Sequence, residues 1–217
     1  MTRAMAVAAI FDFDGLLADT ERLHRAAYVR AAARHGIALT EAEYADHWIR
    51  RGLGIADFLA ERGWTADVAA IRRDKADEYH RLLGTDLHPM PGARALLDRL
   101  HGRIRMAVAT SSYPRDARAA LRALGFASCF ECVATSDDVE RLKPAPDLFL
   151  HAARTLGVPP AQCVVLEDAE KGVLAARAAG MPCIAVPNEF TRGNDFSAAT
   201  AVVDSLDAVT EEMIRGR

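Results

Sequence analysis

The sequence lacks any long apolar run. None reaches the roughly 20 residues that a membrane-spanning helix needs, and the first apolar run is interrupted by Asp12. That run also has no small-residue cleavage site, so it does not resemble a signal peptide. We therefore expect a cytoplasmic protein with no membrane partner.

The sequence also lacks an excess of charge of one sign. Its 217 residues include 27 basic and 30 acidic ones, which gives a net charge of −3. Nucleic acids and anionic surfaces attract concentrated positive charge, and no basic run is present here. We expect no nucleic-acid partner, and the oligomeric state stays open, with a monomer slightly favoured.

Cysteine and histidine are too few and too scattered for a transition-metal site. Of the four cysteines, only Cys129 and Cys132 are close in sequence, and no second pair or neighbouring histidines complete a zinc motif. We expect ordinary reduced thiols that are partly buried.

Short apolar runs rich in Val, Ile and Ala recur along the chain and predict buried parallel strands. They are Ala6–Phe13, Ile104–Ala109, Cys132–Ala134, Cys163–Leu166, Cys183–Val186 and Ala201–Val203. Helical patterns lie between the later runs: Arg115–Leu124, Asp147–Leu156 and Gly172–Ala179. This alternation predicts an α/β fold with a doubly wound, Rossmann-like parallel sheet.

One interval breaks the alternation, because residues 18–87 contain helical patterns and no convincing strand. Four helices are predicted there, separated by Gly36, Gly52, Gly54 and Gly63: Glu21–Arg34, Glu41–Ile49, Asp57–Arg62 and Asp67–Leu83. We predict a helical-bundle cap over residues 18–87, inserted into a core of residues 1–17 and 88–217. The two connections, near residues 17–20 and 88–91, suit a hinge.

Chemically active side chains follow four of the predicted strands. They are Asp12, Asp14 and Gly15 after the first, Thr110 and Ser111 after the second, Lys143 after the third, and Glu167 and Asp168 after the fourth. Parallel strands bring their carboxyl ends to one edge, where ligands bind in such sheets. Acids for a divalent cation, a hydroxyl for an anion and an ammonium suit phosphoryl transfer with Mg²⁺.

These motifs, in this order, resemble the haloacid dehalogenase superfamily, in the branch with a helical cap after the first strand. The similar segments are Asp12–Thr20, Val108–Ser112, Lys143–Asp147 and Leu166–Asp168 with Gly172 downstream. The resemblance implies a phosphatase of small phosphorylated metabolites in which Asp12 is the nucleophile and Asp14 the general acid/base.

The resemblance also implies roles for the other motif residues. Mg²⁺ is held by Asp12, the Asp14 backbone carbonyl and Asp168, with Glu167 either a ligand or a supporting partner. Phosphate oxygens are bound by the segment at Gly15, by Thr110, by the Ser111 amide and by Lys143. Ser112 is left out, because serines after a strand commonly cap the next helix.

The core motifs do not separate a phosphatase from a mutase. The sequence also resembles β-phosphoglucomutase, with His24 and Lys75 in similar places, but Ile55 aligns with the cap arginine that holds the second phosphate there. It is similar as well to pseudouridine-5′-phosphate and sugar-phosphate phosphatases. We therefore favour hydrolysis over a mutase, and both over a phospho-acceptor signalling domain, in which the acid at Asp14 would hasten phosphoryl loss.

Four cap residues are candidate substrate contacts: His24, Arg50, Arg51 and Lys75. Each has an ordinary explanation as a solvated side chain. The segment from Arg50 to Gly54 is the most promising, because its glycines permit an extended reach and arginine binds anions in a two-pronged manner.

Overall fold

A computed structural model describes residues 6–51 and 53–216. Residues 1–5, 217 and Gly52, which we predicted to separate two helices, lie outside the description. The chain divides into two compact units, one of Met1–Asp19 with His88–Arg217 and the other of Thr20–Leu87. No described helix is long and apolar enough to cross a membrane.

Within the described residues of the first unit, six strands form one parallel sheet. They are β1 Ala8–Phe11, β2 Arg105–Ala109, β3 Cys132–Ala134, β4 Cys163–Glu167, β5 Cys183–Ala185 and β6 Ala201–Val202. The spatial order is β3-β2-β1-β4-β5-β6, so β1 is central, with Phe11 in register with Val108 and Leu166. Strands β1 and β4 are buried along their full length, which explains their continuous apolar sequence. The predicted α/β fold with a doubly wound sheet is confirmed.

The helices that the structure describes are numbered in chain order. They are α1 Glu21–Arg34, α2 Glu41–Tyr44, α3 Ile55–Glu61, α4 Val68–Thr85, α5 Ala93–Leu100, α6 Pro114–Ala123, α7 Asp147–Leu156, α8 Glu170–Ala178 and α9 Glu211–Arg215. Against one face of the sheet, α7 and α8 bury Phe149 and Val173 beside Ile10 and Val165. This packing fixes the carboxyl ends of β1 and β4.

The second unit has its own apolar core, which includes Ile55, Phe58 and Ile71. Helix α2 continues into a π-helical turn, Ala45–Arg50, and its start is capped by Thr40. Helices α1 and α4 are joined by the buried carboxylate of Glu78. It accepts hydrogen bonds from three arginines, Arg30, Arg34 and Arg81.

The two chain segments that connect the units are hydrogen-bonded to each other. The Asp19 amide donates to the His88 carbonyl, and the Met90 amide donates to the Leu17 carbonyl, both at 3.0 Å. The insertion therefore begins and ends at adjacent points of the first unit.

Candidate active site

A buried group of charges lies at the carboxyl edge of the sheet, with Lys143 at its centre. Lys143 Nζ donates to Asp12 Oδ1 at 2.5 Å and to Glu167 Oε1 at 2.8 Å. The side chain of Lys143 is only 1% exposed, and that of Asp12 9%. Strands β1 and β4 supply the acids, and the segment after β3 supplies the ammonium, as the sequence predicts.

Burial shifts the pKa values of this group. It raises the pKa of Asp12 to about 7, because burial outweighs the opposing charge of Lys143 and is reinforced by Glu167 and Asp14. Burial also raises the pKa of Asp168, and the neighbouring carboxylates of Glu167 and Asp12 add to that effect. For Lys143, burial alone would lower the pKa, but Asp12 and Glu167 outweigh it and keep the ammonium charged.

Three of these acids satisfy the geometry of a metal site. Asp12, Glu167 and Asp168 each place one carboxylate oxygen within 4.8 Å of the others, and all three are buried. The three carboxylates carry more negative charge than the single ammonium of Lys143 can balance. A small divalent cation would therefore relieve the repulsion between the carboxylates. Hard oxygen donors of this kind fit Mg²⁺.

The carboxylate of Glu167 is already engaged on both oxygens. Besides the contact of Oε1 with Lys143, Oε2 accepts from the backbone amides of Asp168 and Ala169 at 2.8 and 2.9 Å. Gly172, in the first turn of α8, makes room for it: a Cβ there would lie 1.7 Å from Glu167 Oε1. Position 172 therefore requires glycine, because the Glu167 side chain lies against its backbone.

Asp14 is held by two hydroxyl groups that follow β2. Thr110 Oγ1 and Ser112 Oγ each donate to Asp14 Oδ2 at 2.7 Å, and the Ser112 amide donates to Thr110 Oγ1. Asp14 Oδ1 is buried and has no hydrogen-bond partner among the described residues. Ser111 lies between the two hydroxyl residues and is half-buried. We had excluded Ser112 on sequence grounds, and its side chain is part of the site.

The turn after β1 requires glycine at position 15. Gly15 has φ +85°, and a Cβ there would lie 2.6 Å from Asp168 Oδ2. Asn188, which follows β5, reaches the same point: its Nδ2 donates to the Gly15 carbonyl at 3.0 Å and to Asp168 Oδ2 at 2.8 Å. Sequence reasoning missed Asn188. The available signal was its place after the strand next to β4.

In the second unit, the structure brings two of the four cap candidates together. His24 Nδ1 lies 2.8 Å from Lys75 Nζ, and the His24 ring stacks on Tyr79 at 4.0 Å. Lys75 Nζ also lies 5.1 Å from the centre of the Tyr28 ring. These side chains form an ordered polar and aromatic group.

The two arginine candidates pair with acids of their own unit. Arg50 contacts Asp46, one helical turn earlier, and its side chain is 76% exposed. Arg51 forms a two-pronged contact with Glu61. Ile55 is buried at the start of α3 and packs in the apolar core. Its side chain has no group that could bind an anion.

The fold and the site together define a class: a doubly wound α/β enzyme whose acids and lysine meet at the carboxyl edge of its sheet. A protein-family model for haloacid dehalogenase-like hydrolases matches residues 7–180. The chain therefore belongs to the haloacid dehalogenase-like hydrolase family, as the sequence motifs indicated.

Individual relatives agree with this assignment. The chain is 33% identical to protein CbbY of Rhodobacter capsulatus, over 95% of this chain and 96% of that one. It is 38% identical to fructose-1-phosphate phosphatase YqaB of Escherichia coli K12, over 82% and 94%. A crystal structure of a CbbY mutant from Rhodobacter sphaeroides with xylulose-1,5-bisphosphate matches with a TM-score of 0.80 and 33% identity, covering 94% of this chain and 96% of that one.

Proposed function

We propose that this enzyme is a Mg²⁺-dependent phosphatase that hydrolyses a monophosphate ester of a small sugar or a similar metabolite. The observation that carries the proposal is the buried contact of Asp12 with Lys143, close to Asp168 and two residues before Asp14. YqaB is named a fructose-1-phosphate phosphatase, and xylulose-1,5-bisphosphate is the ligand named for the CbbY mutant.

Mg²⁺ would be held by Asp12, Asp168 and the backbone carbonyl of Asp14, and it would neutralise charge between the nucleophile and the phosphate. We assign Glu167 to support of this site, because both its oxygens already accept hydrogen bonds from Lys143 and two amides. Groups that surround a metal site without binding the metal orient its ligands. The hydrogen bond from Lys143 Nζ to Asp12 Oδ1 fixes the orientation of the Asp12 carboxylate.

In the first half of the proposed reaction, an Asp12 carboxylate oxygen attacks phosphorus and the bond from phosphorus to the leaving oxygen breaks. Protonated Asp14 gives its proton to that leaving oxygen. The hydroxyls of Thr110 and Ser112 hold Asp14 Oδ2, and its buried Oδ1 stays available for the transfer. The product is an aspartyl phosphate and a free alcohol.

In the second half, Asp14 accepts a proton from water as the water oxygen attacks phosphorus. The bond from phosphorus to Asp12 breaks, which releases inorganic phosphate and restores the Asp12 carboxylate. Phosphate oxygens would be held by Lys143, by the backbone amide of Ser111 and by the segment at Gly15. The Thr110 hydroxyl would join them by turning from Asp14 Oδ2, where the Ser112 hydroxyl stays as a donor.

We place hydrolysis ahead of a mutase reaction. Reorienting a bisphosphate needs a second phosphate anchor, and the aligned cap position holds the buried Ile55. Arg51 pairs with Glu61 within its own unit, so it would have to leave that contact to bind a second phosphate. We keep in the proposal that the substrate is contacted by four cap residues: His24, Lys75, Arg50 and Arg51. For the two arginines, the test is the turnover of the best substrate by the double variant Arg50→Ala/Arg51→Ala.

The proposed function is tested by release of inorganic phosphate from sugar phosphates, nucleotides, phosphoglycolate and pseudouridine 5′-phosphate. We expect release with Mg²⁺, none with EDTA, and none from Asp12→Asn. Asp137→Asn, at an exposed acid after β3, is the matched control and should keep full activity. Interconversion of hexose 1- and 6-phosphates without free phosphate would instead establish the mutase.

A further inference from the structure

The Asn188 side chain uses all four of its hydrogen-bonding positions at the edge of the site. Its Nδ2 donates to the Gly15 carbonyl and to Asp168 Oδ2. Its Oδ1 accepts from the backbone amides of Phe190 and Thr191, at 2.8 and 3.2 Å. The side chain is thus anchored in its own loop and extends both donor hydrogens toward the site.

The orientation of this amide follows from its partners. A carbonyl and a carboxylate face Nδ2, and both can only accept; two amides face Oδ1, and both can only donate. Exchanging oxygen and nitrogen would set acceptor against acceptor on one side and donor against donor on the other. The contacts therefore define one arrangement.

The two groups that Asn188 holds belong to different strands. The Gly15 carbonyl belongs to the turn after β1, one peptide beyond the Asp14 carbonyl, and Asp168 follows β4. Asp168 is buried, and the hydrogen bond from Asn188 fixes its Oδ2 and leaves Oδ1 free of Asn188. A single side chain thus links the turn after β1 to the acid after β4.

We propose that Asn188 is a positioning residue for the metal site, which holds the Asp168 carboxylate and the Asp14-Gly15 backbone in register with each other. The inference rests on the proposed function, because it assumes that Mg²⁺ is bound by Asp168 and the Asp14 carbonyl. Asn188 acts through these groups and contacts neither metal nor substrate.

The test is Mg²⁺ binding by isothermal titration calorimetry, with Mn²⁺ binding followed by electron paramagnetic resonance as a second readout. We expect Asn188→Leu, which keeps the size and removes both donors, and Asn188→Ala to weaken binding about tenfold, the range usual for partners of metal ligands. Thermal unfolding in EDTA checks that the variants are folded, and kcat at saturating Mg²⁺ should fall less than the affinity.

Thr191→Val is the matched control. It removes the hydrogen bond that the Asn188 amide gives to Thr191 Oγ1, in the same turn, and leaves both contacts to the site in place. Its Mg²⁺ affinity should stay within about twofold of wild type, well short of the loss expected at Asn188.

Two results would overturn the inference alone: unchanged affinity in both Asn188 variants, or an equal loss in Thr191→Val, which would make the role one of loop structure. A wild-type protein that binds no Mg²⁺ and releases phosphate in EDTA would overturn this inference together with the metal in the proposed function. The two failures are therefore distinguishable.

Discussion

At the scale of single residues, the site depends on an ammonium among three carboxylates. Removing Lys143 would leave Asp12 and Glu167 buried beside Asp168 without a compensating charge. We predict that Lys143→Met lowers kcat/KM about 10²- to 10³-fold, the usual cost of losing one charge-stabilising group. Phosphate release measures it. Lys171→Met, at an exposed lysine of α8, should leave the rate within about twofold, and an equal loss there would contradict the assignment.

The raised pKa of Asp12 predicts that metal affinity depends on pH. In the metal-free protein this pKa is about 7, while the metal binds the ionised carboxylate, so a proton must leave as the metal enters. Apparent Mg²⁺ affinity should therefore rise as the pH is raised toward about 7, by about tenfold or more per pH unit, because the pKa of Asp168, the other proposed carboxylate ligand, is also raised. Calorimetry across this range measures the effect. Affinity that is constant between about pH 6 and pH 8 would contradict it.

Sequence reasoning located the charged residues and missed their neutral partners. Asp12 and Asp168 stand out because they directly follow apolar strands, whose ends meet at one edge of a parallel sheet. Lys143 stands out only by its place among the other motifs. Ser112 and Asn188 do not stand out, since serine and asparagine after strands are ordinary turn residues. Their contacts, to Asp14 and Gly15, join residues far apart in sequence, and only the folded sheet reveals them.

At the scale of elements, the sequence pattern predicted most of the strands and helices. Helices α1 and α7 and strand β3 have the predicted bounds, and α7 stops where Gly157 adopts a left-handed conformation. Helix α5 was not predicted, although Leu96, Leu97 and Leu100 have the spacing of one apolar helix face and are buried there. Most of the other boundaries shifted by one or two residues, where several hydrogen-bonding patterns fit the same sequence.

Helix α8 gives a prediction at this scale. Alanine usually stabilises a helix more than glycine does. At position 172, however, a Cβ would overlap the Glu167 carboxylate. We expect Gly172→Ala to lower the free energy of unfolding by about 1–3 kcal/mol and to reduce activity, since Glu167 must move away from Lys143. Gly84→Ala, in α4 with open space around it, should raise stability by about 0.5–1 kcal/mol. Urea unfolding compares the two; a stabilised Gly172→Ala would contradict the account.

At the scale of the whole molecule, the insertion begins and ends at hydrogen-bonded points of the chain. Asp19 N and His88 O are 3.0 Å apart, so a short Gly-Ser linker can replace residues 20–87 without disturbing the sheet. We predict that this shortened protein folds and binds Mg²⁺ with about wild-type affinity, because every proposed ligand lies in the first unit. Circular dichroism and calorimetry test this. An unfolded product would show that the first unit needs the insertion.

The central claim is covalent catalysis by Asp12, and rapid-quench trapping with a labelled phosphate ester tests it most directly. During turnover with Mg²⁺, acid quenching, digestion and mass spectrometry should find one phosphoryl group on the peptide that contains Asp12. A phosphoryl group on another residue, or phosphate release at full rate from Asp12→Asn, would contradict the account.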